Sequence, residues 1–171
     1  MKITVNRLSS DAVKVRKVAG DHIVIRKDQV DAGFIDEQLR LIFDMSRIID
    51  YADAIYAEIR KAESRSGMLE DSSNTLRYSI SSYLDDIENM LSRFQKKVRD
   101  ESIRDDAEYI RDGIENIRKI ISDPAFDRSW RSCGTMIKIF EELLGIEWRS
   151  GIIIDALSYD THEYIRSHQS I

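Results

Sequence analysis

Three successive seven-residue units decide the architecture: Ile103-Arg-Asp-Asp-Ala-Glu-Tyr109, Ile110-Arg-Asp-Gly-Ile-Glu-Asn116 and Ile117-Arg-Lys-Ile-Ile-Ser-Asp123. Their apolar positions, Ile103, Ala107, Ile110, Ile114, Ile117 and Ile121, recur at spacings of four and three. That period predicts a helix burying one seam against another helix. Beside the seam run Arg104, Glu108, Arg111, Glu115 and Arg118, again four and three apart. Each arginine thus has a glutamate one turn away, in pairs contributing roughly 0.2–0.5 kcal/mol each. Ile103, Ile110, Ile114 and Ile117, with Arg104, Arg111 and Arg118, are the candidate helix interface. Such charges select a partner helix, in this chain or in a second copy, or simply form the solvated face of a bundle.

Outward from this block the helical period persists. Upstream, Leu76, Ile80, Tyr83, Ile87, Met90 and Phe94 alternate spacings of four and three, with N-caps available in Asp71-Ser72-Ser73. Extending that register by sevens lands on Glu101 and Glu108, one residue out of phase with the seam at Ala107 and Ile114. Either one helix continues through 96–106 with altered twist, or it ends near Asp100 and another begins. With no Gly or Pro between, the reading favours one long helix from about 72 to 121.

Farther upstream Ile35, Leu39, Ile42, Met45, Ile49, Ala52, Ile55, Tyr56 and Ile59 predict a helix to about Ser64, with Gly67 as its stop. Downstream, Asp123-Pro124 suits a cap and a first helical position. The following helix carries Phe126, Trp130, Met136, Ile137, Phe140, Leu143 and Leu144, with Gly145 as its stop and Gly134 as an interruption. A last segment with Trp148, Ile152, Ile153, Ala156, Leu157, Tyr164 and Ile165 also favours helix.

Before Gly33 the period is two. Met1, Ile3 and Val5, then Val13 and Val15, then Ile23 and Ile25 alternate with polar and basic residues. Ser9-Ser10-Asp11 and Ala19-Gly20-Asp21 supply turns. The expected fold class is therefore mainly α (α+β): an antiparallel bundle of four to five long helices with a small N-terminal three-stranded antiparallel β-meander. Residues 1–30 form the basic meander packed on the bundle and 31–171 the bundle, as one domain overall.

Composition bounds the function. Of 171 residues, one is proline and seven are glycine, leaving room for long helices. The lone Cys133 excludes an internal disulfide and multi-cysteine zinc sites. No apolar run approaches the roughly 18 residues of a membrane span, and the start of the chain is not a signal peptide. The expected location is cytoplasmic, with no membrane partner. Residues 1–30 hold seven Lys and Arg against three Asp, and the remainder holds 19 against 28. The acidic body argues against general nucleic-acid binding. Lys2, Lys14, Arg16 and Arg26 form a candidate basic face, though no aromatic residue precedes Phe34 to stack on bases.

Catalytic constellations are lacking. Asp105, Asp112, Glu108 and Glu115 share one helical side, but interleaved arginines would compete with a cation for their oxygens. His162 and His168, six apart, lie about 120° apart around a helix, and read as solvated rather than as ligands. There is no Gly-rich phosphate loop, serine elbow or activated cysteine. The expectation is a non-enzymatic interaction module (adaptor, inhibitor or assembly component) without catalytic, cofactor or metal residues. It would act through coiled-coil-like surfaces on a protein partner, including a second copy in a homodimer. The alternative is a nucleic-acid-associated regulator using the basic strand face and dimerising through its helices.

Overall fold

The computed structural model describes residues 4–9, 12–16, 22–26, 31–64 and 71–168. Four long helices carry the chain: α1 (Ala32–Ser64), α2 (Asp71–Gln95), α3 (Glu101–Ser122) and, after the four-residue α4 (Phe126–Ser129), α5 (Cys133–Ser167). By compactness the chain divides into two units, Met1–Phe43 with Ile154–Ile171, and Asp44–Ile153.

Within Asp44–Ile153 neighbouring helices run antiparallel. On α2 and α3, Gln95 meets Glu108 and Arg111, while Asp85 and Glu88 meet Arg118. On α3 and α5, Asp106 meets Arg149 and Asn116 meets Glu142. On α1 and α5, Asp53 acts on Glu147, and Tyr56 stacks on Phe140 with ring centroids 4.2 Å apart. Rising numbers on one helix match falling numbers on its neighbour in each pair. Met45, Ile48, Ile55, Ile80, Leu84, Ile87, Ile110, Ile139 and Leu143 are among the buried residues of this core.

The seam of α3 is buried at every expected position, and Gly113 joins it. Gly113 sits where α3 approaches α5: an added Cβ would stand 3.2 Å from Ile146 Cγ1. Two expected boundaries are corrected. The single helix over 72–121 is two helices, because the chain turns at 96–100. There Lys97 and Val98 both donate to the Phe94 carbonyl, and Val98 is buried. Asp100 then caps α3, accepting from the N–H groups of Ser102 (2.8 Å) and Ile103 (3.4 Å). The helix expected from Pro124 to Gly145 is also corrected. After α4, Ser132 caps α5 through the Thr135 N–H, and α5 runs unbroken through Gly145 and Gly151.

The expected fold class, α+β with a meander as a second layer on the bundle, is corrected to mainly α. The established fold is a mainly α, bundle-like one, and the unit Asp44–Ile153 is closed by helix on helix, with no strand among its described residues. The extended segments β1 (Thr4–Ser9), β2 (Ala12–Arg16) and β3 (His22–Arg26) belong to the other unit and pair antiparallel in that order. Strands of six, five and five residues are a small share beside helices of 33, 25, 22 and 35 residues, so helix packing sets the class. Once helical seams bury one another, the core needs no sheet face.

Candidate functional site

The isoleucines of the candidate helix interface lie inside the chain, while Arg104 is exposed and Arg111 and Arg118 are half-buried. Ile103, Ile110, Ile114 and Ile117 are buried. Their three arginines turn toward α2 and the turn before α3, not along α3 alone. Arg104 Nε donates to the Val98 carbonyl at 2.9 Å. Arg111 donates to Gln95 and stands 3.5 Å from Glu108. Arg118 Nη2 lies 2.6 Å from Asp85 and 2.9 Å from Glu88. Burial pulls the Arg118 guanidinium down, but Asp85 and then Glu88 outweigh it, so it is held above its ordinary value. Seam and ladder together fix α3 on α2.

Of the candidate basic face, Lys2 lies outside the described residues. Lys14 and Arg16 stand on β2 and Arg26 on β3, opposite Val24, His22 and Ala12 respectively; their side chains, like that of Cys133, also lie outside the described residues. His168 closes α5, its Nδ1–H donating to the Tyr164 carbonyl at 2.8 Å while the two rings lie 4.4 Å apart.

The surface with unspent chemistry is elsewhere. Ile137, Leu144 and Trp148, expected in the buried stripes, are 49%, 55% and 62% exposed. Spacings of seven and four put them on one outward face of α5, within about 40° of one another. The stripe that α5 buries in this unit is Met136, Ile139, Leu143, Ile146 and Ile153 instead. Beside Trp148, Tyr109 of α3 is 58% exposed. Arg149 links the two: its guanidinium carbon stands 4.3 Å from the Tyr109 ring centroid and 4.7 Å from that of Trp148. An ion pair with Asp106 at 2.6 Å holds that guanidinium in place. A cation between two π faces restrains both rings before any partner arrives.

The signal for this face was present as apolar residues on two sides of α5. A helix apolar on more than one side is either buried all round or has an outer face to cover. Among the described residues no group of three or more His, Cys, Asp or Glu could hold a metal ion, and no helix is long and apolar enough to cross a membrane. Compared with protein-family models, curated proteins and solved structures, the chain matches none.

Proposed function

We propose that the protein is a non-enzymatic, cytoplasmic interaction module that engages a protein partner through the outer face of α5 and the adjoining Tyr109 of α3. The observation supporting this reading is the exposure of Trp148, Leu144 and Ile137 on one face, with Tyr109 and Trp148 held by Arg149. Trp, Tyr and Arg are the residues enriched where a few side chains dominate binding energy. Rings already restrained by Arg149 lose less freedom when a partner covers them. The Ile103–Ile117 seam is occupied by the chain itself and is not the docking surface in this reading.

The test is capture from the native host with wild-type protein beside Trp148→Ser and Leu144→Asp. A partner retained by wild type and lost by both variants supports the module. Identical capture by all three refutes this face as the interface. Because both side chains are exposed, circular dichroism should show unchanged helix in the variants.

A further inference from the structure

We infer that the α3–α5 face receives a basic amphipathic helix. Its apolar side would cover Ile137, Leu144, Trp148 and Tyr109, and its lysines or arginines would meet Asp105, Asp112 and Glu141. The inference rests on the interaction reading above and adds the chemistry of the occupant.

The charge pattern selects that occupant. Asp105 and Asp112 stand four residues before and three after Tyr109, on the outward side of α3 and within about 60° of it, and both are exposed. Glu141 lies between Ile137 and Leu144 on the outward face of α5 and is exposed as well. The arginines that alternate with these carboxylates in sequence do not neutralise them. Arg104 and Arg111 point to α2 and the turn before α3, and Arg149 is held by Asp106. None of the ion pairs among the described residues includes Asp105, Asp112 or Glu141. Among the described residues the apolar face is therefore rimmed by three carboxylates outside any ion pair, and Lys138, three residues before Glu141, is the exposed cation beside them on α5.

A second copy is the poorer occupant. In a two-fold interface the same patch meets itself, so the acidic rims would oppose each other. A basic helix instead combines apolar burial with charge complementarity, the helix-in-groove mode of recognition. Eleven residues separate Ile137 from Trp148, about 16 Å along the axis, so about three turns of partner helix suffice.

The probe is a labelled amphipathic peptide of about eighteen residues, with leucines at helical spacing and lysines on the flanks. One control replaces lysine by glutamate, and a second scrambles the lysine peptide so that no apolar face remains. In fluorescence anisotropy the lysine amphipath should bind wild type and neither control should. Its affinity should fall at least about tenfold for Trp148→Ser and Leu144→Asp. It should fall several-fold on combined Asp105→Asn, Asp112→Asn and Glu141→Gln substitution, and again with added salt.

Equal binding of the glutamate or scrambled peptide overturns the inference, as does unchanged affinity in the variants. So does a wild-type dimer, seen by light scattering, that Trp148→Ser dissociates, since that makes the occupant a second copy. If all peptides fail while Trp148→Ser still loses its host partner, the basic occupant is refuted and the interaction module stands.

Discussion

Gly145 and Gly151 are glycines inside a helix that does not use their lack of a side chain. A Cβ added at either position would meet nothing within 4 Å. Glycine costs a helix interior roughly 0.8–1.0 kcal/mol relative to alanine, so Gly145→Ala and Gly151→Ala should each raise stability by up to that amount. Gly113 is the opposite case. Its Cβ would stand 3.2 Å from Ile146 and 3.5 Å from the Glu142 carboxylate. Gly113→Ala should therefore gain little or lose, and Gly113→Leu should cost about 1–3 kcal/mol or more by overpacking. Urea midpoints at constant slope would rank the four variants; a Gly113→Leu protein as stable as wild type would contradict the close approach of α3 and α5.

Ser150 adds a second residue-scale test. It is fully buried, and among the described residues its hydroxyl has no hydrogen-bond partner. An unpaired hydroxyl in the interior costs on the order of 1–3 kcal/mol, so Ser150→Ala should stabilise the protein. A destabilised Ser150→Ala would mean that the hydroxyl does bond in solution. None of these distinctions is visible in sequence. Gly145 reads as a helix stop because glycine often is one, but buried Leu143 and Ile146 on either side hold the helix through it.

At the scale of elements, α3 was legible residue by residue while its junction with α2 was not. The α3 stripe is narrow, so spacing alone fixes its phase. On α1 the apolar residues are spread more widely, and two phases fit: Leu41 and Ile48 are buried where Leu39 and Ile49 were expected, and these two are half-buried. The α2–α3 turn has no Gly or Pro. Its signal was Asp100 with Glu101 just ahead of Ile103, an acidic cap and first turn, reinforced by Val98 turning into the core.

Two carboxylates on these elements respond to acid with opposite sign. Asp100 is held below its ordinary value by the Ser102 side chain first, then by the N–H groups of Ser102 and Ile103. Its contribution is complete above the unfolded carboxylate range and is lost as pH falls through the lower folded value. Asp100→Asn keeps a cap without the charge, so it should flatten the loss of stability between about pH 5 and pH 2. Asp100→Ala should cost about 1 kcal/mol at neutral pH. Glu147 is pushed up, by burial first and by Asp53 second. Its charged form opposes folding, so its cost grows as pH rises from the unfolded value through the folded one. Glu147→Gln should stabilise at pH 7 and lose that advantage in acid. Thermal scans at the two pH values would check both, and parallel shifts in the two variants would contradict the assignment.

For the whole molecule, the decisive contrast is between two apolar surfaces that look alike in sequence. The α3 seam follows threes and fours and the α5 face sevens and fours, both helical spacings, both are interleaved with charge, and only packing separates them. The α3 seam is closed by α2 and α5, with Arg118 bridging to Asp85 and Glu88 at one edge. The α5 face made by Ile137, Leu144 and Trp148 has no such cover among the described residues of Asp44–Ile153. Periodicity reported that both faces exist; it could not report which one the chain itself would fill. That choice depends on contacts between residues tens of positions apart, such as Asp106 with Arg149.

A charge placed on each surface should therefore have different consequences. Ile110→Asp or Ile114→Asp forces an unpaired carboxylate into the core, where an uncompensated charge costs about 3–5 kcal/mol. That is a large share of the 5–15 kcal/mol typical of a folded domain, so these variants should lose cooperative unfolding. Leu144→Asp leaves its carboxylate in water, and its melting temperature should stay close to that of wild type. A stable, fully helical Ile114→Asp protein would place the seam at the surface and reverse the assignment. A collapsed Leu144→Asp protein would put the α5 face inside.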